Sequence, residues 1–295
     1  MKTVVVCGAT GKQGGAVVEN LSKVNNYKIV ALSRDPNGKA AMALKKKSIE
    51  VRQADLQDKT SLISAFQGAD YVYGVTTPEN AKGKIDTAME KEQGCNIIDA
   101  CSENNIQHIV LSTVWYISDE QLSIPYVKSK QDIEKYLEAS RLPYTVLRPS
   151  SFMDELGGPY LAIKKNKVIG MADDDAKIPY IACRDIGAFA KMAFDDPSTF
   201  VNQKINLVGD FIAGNELAEL LNDFTNGRIN KHKAPPKWLM KIFAREWISL
   251  RTFFEKSGRK PYSQKLLDAI KQCEKTHPGI LSFRDYIQQI GYKNL

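Results

Sequence analysis

Tyr126 and Lys130 stand four residues apart in Tyr126-Val-Lys-Ser-Lys130. On a helix that spacing brings both side chains to one face. There Tyr126 can donate a proton, with the Lys130 ammonium on the same face. Ser112 closes the apolar run His108 to Ser112, with Thr113 beside it. A second outcome stays open, because Ile124-Pro125 precedes Tyr126 and puts it in a loop or a first helical turn, from which it can point away. Lys130 serves either outcome, since an interior helical lysine also suits an anionic ligand.

Other chemistry lacks a cast. No serine sits in a G-x-S-x-G elbow, and no Cys/His pairing has supporting context. The three histidines, His108, His232 and His277, are far apart, so no metal site is expected. The five cysteines show no CxxC pair, and Cys7 lies inside an apolar strand pattern, where a small buried side chain is expected. Asp154, Glu155 and Asp185 are carboxylates near an expected cleft, and Asp185 in Arg-Asp-Ile-Gly reads as a helix cap.

The strongest motif is Val4-Val-Val-Cys-Gly8-Ala-Thr-Gly11-Lys-Gln-Gly14-Gly15, which joins an apolar strand to a helix through G-x-x-G-x-x-G. Missing Cβ atoms allow the tight turn, the approach of backbone to a diphosphate and close helix packing. The helix start offers amide N–H groups and a partial positive charge to phosphates. A dinucleotide is therefore expected on Gly8, Thr10, Gly11, Lys12, Gln13 and Gly14. The next strand ends Ala31-Leu32-Ser33-Arg34, without the acid that accepts a ribose 2′-hydroxyl, and Arg34 with Ser33 suits a 2′-phosphate instead. NADP(H) is the expected cofactor. Asp35 next door is a conflicting charge, which the following Pro36 can turn aside. Asp55 and Leu56 follow the third strand and are placed to flank the adenine, while Val75, Thr76 and Thr77 run along the cofactor at the end of the fourth. With that cofactor, Tyr126, Lys130 and Ser112 become candidates for hydride-transfer chemistry.

These residues need a sheet with helices between its strands. Strands are expected at Thr3 to Cys7, Lys28 to Leu32, Glu50 to Gln53, Tyr71 to Thr76, His108 to Ser112 and Thr145 to Arg148. Helices are expected at Gly14 to Ser22, Ala40 to Lys47, Lys59 to Phe66, Gly83 to Glu103 and Lys128 to Ser140. That alternation predicts an α/β fold, a Rossmann-type doubly wound parallel sheet over residues 1–150. Residues 151–295 read as a smaller, mostly helical substrate or lid region that returns to the sheet through a strand at Ile205 to Val208, before a helix at Asn215 to Phe224. The stretch from Ala234 to Trp247 predicts a Pro-started amphipathic helix serving as a lid or dimer contact.

With 295 residues, 43% of them hydrophobic, the chain can bury a sizeable core. No apolar run suits a bilayer and no signal-peptide pattern is present, so a cytoplasmic protein without membrane contact is expected. The formal charge of +7 is dispersed, apart from clusters at Lys45 to Lys47 and around Lys231 to Lys237, and lacks a nucleic-acid signature. It suits an anionic dinucleotide or an acidic partner.

The chain resembles the NmrA-like family, an atypical branch of the short-chain dehydrogenase/reductase superfamily. The resemblance rests on Gly8 to Gly15, Ser33-Arg-Asp-Pro36, Leu147-Arg-Pro-Ser-Ser-Phe-Met-Asp154, Ile178-Pro-Tyr-Ile-Ala-Cys-Arg-Asp-Ile-Gly187, Asn206-Leu-Val-Gly-Asp210 and Gly214-Asn-Glu-Leu217. It implies NADP(H) with Thr10 to Gly14 on the diphosphate, Arg34 on the 2′-phosphate, and the regions of Thr76 and of Ser151 and Phe152 along the nicotinamide. Where relatives often read Phe-Met-Glu-Asn, this chain reads Phe152-Met-Asp-Glu155. Members divide between reductases and cofactor-sensing regulators. The expectation is a cofactor-responsive redox sensor with weak or no turnover, meeting a protein partner. The alternative is an NADPH-dependent reductase of a small carbonyl, enone or quinone. A homodimer suits either.

Overall fold

The computed structural model describes residues 1–80, 83–243, 247–258 and 262–291. The chain runs β1 (Lys2–Val6), α1 (Lys12–Ser22), β2 (Tyr27–Ser33), α2 (Lys39–Lys46), β3 (Glu50–Gln53), α3 (Lys59–Ala65), β4 (Tyr71–Val75), α4 (Thr87–Glu103), β5 (His108–Ser112), α5 (Pro125–Ser140) and β6 (Tyr144–Pro149). It continues β7 (Ser151–Phe152), β8 (Ala162–Lys164), β9 (Lys167–Ile169), β10 (Lys177–Ile181), α6 (Cys183–Asp195), α7 (Pro197–Phe200), β11 (Gln203–Leu207), β12 (Asp210–Ala213), α8 (Gly214–Phe224) and β13 (Lys231–Lys233). The last described elements are α9 (Lys237–Phe243), α10 (Ile248–Ser257), α11 (Tyr262–Thr276) and α12 (Phe283–Ile290). Two compact units emerge, one of Met1–Trp115, Pro125–Arg148 and Cys183–Ile205, the other of Tyr116–Ile124, Pro149–Ala182 and Asn206–Leu295.

The first unit is built on a seven-stranded sheet ordered β11-β6-β5-β4-β1-β2-β3. Val5 pairs in parallel with Val30 of β2 on one side and Val72 of β4 on the other. The chain thus winds outward from β1 to β3 and then returns to the opposite flank of β1. In open α/β sheets such a reversal leaves a crevice at the carboxyl ends of the strands, here those of β1 and β4. Val4, Val5 and Val6 are fully buried, as an inner parallel strand covered on both faces requires. Leu62, Phe66, Ile97, Ile109 and Ile133 fill the layer between sheet and helices. Cys7 sits in the same core, and burial pushes its thiol up to about 12, so it packs as an apolar group. The helix α6 lies against α1, where a Cβ on Gly187 would come 2.4 Å from the Ala16 carbonyl oxygen.

The α/β architecture is the one expected, with strand bounds within a residue or two. The helix expected from Gly83 begins at Thr87, where Asp86 caps it by accepting from the Met89 N–H at 3.0 Å. Asp185 lies inside the first turn of α6 rather than at its cap. The second unit contains two three-stranded sheets, β12-β10-β7 and β13-β9-β8, besides its helices. The apolar stretch from Ala234 forms α9, and residues 244–246 of that expected helix lie outside the described residues. Among the described residues, no helix is long and apolar enough to cross a membrane.

His108 makes the first unit sensitive to acid. Its Nε2 lies 2.8 Å from Thr145 Oγ1, and that hydroxyl gives its own proton to the Phe200 carbonyl at 2.8 Å. Nε2 must therefore be the protonated nitrogen, which leaves Nδ1 buried with no acceptor for a second proton. Burial lowers the imidazole pKa to about 4. An unfolded chain takes up that proton near pH 6.5, so the folded state should lose about 3 kcal/mol as pH falls from 6.5 to 4. Denaturant titrations of His108→Phe beside the parent chain should show this loss in the difference between them; parallel pH profiles would refute it.

Candidate functional site

The first unit brings the glycine turn, Arg34 and the ends of β4 and β5 to the carboxyl edge of its sheet. Gly8 adopts φ +62°, and a Cβ there would stand 2.8 Å from Val75 Cγ1. At Gly14 a Cβ would stand 2.3 Å from the Gly8 carbonyl oxygen, closer than real atoms approach. The first position is set by a left-handed backbone and the second by the closeness of α1 to the turn. The Gly11 N–H bonds the Gly8 carbonyl at 2.9 Å, and Gly15 bonds Gly11 at 2.9 Å. Gly11 is the N-cap of α1, and no side chain caps that helix start. Thr10, Gly11 and Lys12 are exposed. Solvent-facing amides at a helix start, on a turn with no side chains in the way, fit a diphosphate.

Gln13 links this turn to the strands. Its Oε1 accepts from the Ser112 hydroxyl at 2.7 Å and the Tyr73 hydroxyl at 3.3 Å. The sequence had assigned Gln13 to the turn alone, without this anchoring to β4 and β5.

Beyond β2, Arg34 is exposed, and its guanidinium forms no ion pair among the described residues. Its backbone carbonyl accepts from Gln53 at 3.3 Å. Asp35 Oδ1 accepts from the Asn37 N–H at 3.0 Å, within a turn that also bonds Gly38 N–H to the Asp35 carbonyl at 3.2 Å. Ser33 donates its hydroxyl to that same carbonyl at 2.8 Å. The acid that could have served a 2′-hydroxyl is thus held by its own loop.

Asp55 behaves alike, accepting from the Gln57 N–H at 3.0 Å. Leu56 packs against the core, and its carbonyl accepts from Asn96 at 3.0 Å. At the end of β4, the Thr77 N–H reaches Gln93 Oε1 at 3.4 Å.

Tyr126 is the second residue of α5 and half-buried. Burial, and after it the negative charge of Glu90, raise its phenol above the ordinary value. Lys130 is buried, donates to the Thr76 carbonyl at 3.1 Å and to Thr76 Oγ1 at 2.7 Å, and forms an ion pair with Glu90 Oε1 at 3.0 Å. Glu90 also accepts from the hydroxyls of Thr76, at 3.3 Å, and of Ser129.

Glu90 is the residue that reading the sequence missed. A signal existed in Gly94, a glycine inside a helical run, whose Cβ would meet Ile133 at 2.6 Å. Helices α4 and α5 touch there, and Glu90 lies one turn earlier on the same face. Nearby, Thr113 belongs to a separate buried cluster, giving its hydroxyl to Glu134 at 2.7 Å. Ser151 and Phe152 belong to the second unit, half-buried on β7 opposite Tyr180 and Ile181 of β10.

Among solved structures, the chain resembles NmrA, a negative transcriptional regulator, with TM-score 0.81 at 18% identity, covering 99% of this chain and 96% of that one. NmrA has been solved in complex with NAD and with NADP. The NADPH-dependent quinone oxidoreductase 2 of Escherichia coli, complexed with NADPH, superimposes with TM-score 0.73 at 22% identity, covering 97% of this chain and 99% of that one. In sequence, an NmrA-like family domain-containing protein of Dictyostelium discoideum is 24% identical over 309 aligned positions, covering 99% of each chain. The profile of the NmrA-like family matches residues 1–279, and the chain belongs to that family.

Proposed function

We propose that the chain binds NADP(H) and acts as a cofactor-responsive redox regulator with weak or no turnover, its state sensed by a protein partner. Residues 1–150 are then the cofactor domain and 151–295 a smaller substrate or lid region that returns in part to its sheet, in a cytoplasmic protein. Thr10 to Gly14 hold the diphosphate, Ser33 and Arg34 the 2′-phosphate, and Asp55 and Leu56 the adenine. Val75, Thr76 and Thr77 serve the nicotinamide side. Bound there, the cofactor supplies a transferable hydride.

One observation carries the choice of regulator. The Lys130 ammonium donates twice to Thr76 and is ion-paired with the fully buried Glu90 at 3.0 Å. A ribose contact or an activated Tyr126 would have to draw that ammonium away from a buried counter-charge. The alternative, an NADPH-dependent reductase of a small carbonyl, enone or quinone using Tyr126, Lys130 and Ser112, is supported by the placement of Tyr126 one turn before Lys130 on α5. Likeness to the quinone oxidoreductase adds to it.

NADPH consumption across a panel of carbonyls and quinones separates the two. The regulator reading expects saturable cofactor binding with turnover near background, unchanged by Tyr126→Phe. Fast turnover that Tyr126→Phe abolishes would establish the reductase.

A further inference from the structure

Glu90 has no exposed surface, and a buried carboxylate is tolerated only where charge and donors meet it. Lys130 meets it at 3.0 Å, with the Thr76 and Ser129 hydroxyls completing its shell. Lys130 lies one turn after Tyr126 on α5. A lysine facing a tyrosine favours the phenolate and so promotes proton release. Here a carboxylate from α4 engages the ammonium first and adds a negative charge of its own.

We infer that Glu90 is a positioning residue that restrains reductase chemistry in this unit, by holding the Lys130 ammonium on α4 and withholding it from Tyr126. The functional consequence rests on the NADP(H) reading; the effect on Tyr126 does not. With the restraint lifted, a hydride passes from NADPH to a quinone carbon, Tyr126 gives its hydroxyl proton to the quinone oxygen, and water reprotonates the phenolate. NADPH is oxidised to NADP⁺, and the ring carbon that took the hydride gives a proton to water as the second quinone oxygen takes one from water, which yields the hydroquinone.

Glu90→Gln is the direct test. The glutamine carbonyl can still accept from Lys130 and its amide can donate to Ser129, so the shell keeps its bonds while the charge is lost. Tyr126 ionisation is followed by NMR of the chain labelled at tyrosine Cζ, its signal identified with Tyr126→Phe. In Glu90→Gln the midpoint should fall by about one unit or more. An unchanged midpoint on folded protein overturns the inference. Should Glu90→Gln fail to fold, the parent chain still decides: Tyr126 must titrate above the ordinary tyrosine value of about 10, and a midpoint at or below it overturns the inference.

Benzoquinone reduction by NADPH should rise about tenfold or more in Glu90→Gln, the same step expressed as rate. It should return to the parent level in Glu90→Gln/Tyr126→Phe. A rise that survives in the double variant also overturns the inference. Loss of NADPH binding in the parent chain would instead defeat the cofactor reading, and leaves the Tyr126 titration standing as its own result.

Discussion

Lys130→Met should destabilise the chain by about 3–5 kcal/mol, the cost of leaving a buried charge without its counter-ion. The Lys130 side chain is 6% exposed and that of Glu90 0%, so water cannot take the place of the ammonium. Thr76 and Ser129 would still donate to the carboxylate, but two neutral hydroxyls do not offset a full charge. Exchanging both members, as Glu90→Leu/Lys130→Met, should recover most of the loss, because apolar replacements of a buried pair are often neutral or stabilising. Urea unfolding of the parent, the single and the double variant checks this. A single variant that costs less than about 1 kcal/mol would show a solvated pair, since exposed pairs contribute no more than that.

Arg34→Ala should weaken NADPH binding about 10- to 100-fold, the usual size of a lost charge-assisted bond to phosphate, and leave NADH binding nearly unchanged. The guanidinium is exposed and pairs with no carboxylate among the described residues, so its removal disturbs nothing else in the fold. Arg34→Lys should fall between, since an ammonium keeps the charge and loses the planar fork. Competition titrations with the two reduced cofactors measure the ratio directly. Equal losses for NADPH and NADH would mean that Arg34 does not discriminate between them.

Much of the fold was legible because its signals are local. Runs such as Val4-Val-Val and Ile109 to Leu111 are apolar on both faces, as a parallel strand covered on both sides needs. The glycine turn was legible because Gly8 and Gly14 answer steric demands that other residue types cannot meet. The strands of the second unit were harder to see. Ser151–Phe152, Ala162–Lys164 and Lys167–Ile169 are two or three residues long, too short for an alternation to stand out.

The candidate site divides in the same way. Arg34 announced itself by residue type at a strand end, and the turn that occupies Asp35 was foreshadowed by Pro36. Glu90 did not, because its meaning comes from a lysine forty positions later on a neighbouring helix. Sequence spacing also placed Tyr126 and Lys130 on one face, and that much the helix provides. What spacing could not show is that the charge on Lys130 is committed elsewhere.

Everything proposed for this chain depends on NADP(H) binding to its first unit. Calorimetric titration of the 295-residue chain with NADPH and NADP⁺ tests it most directly. Saturable one-to-one binding is expected, with NADH weaker by about tenfold or more. Folded protein that gives no saturable heat with any nicotinamide dinucleotide would contradict it.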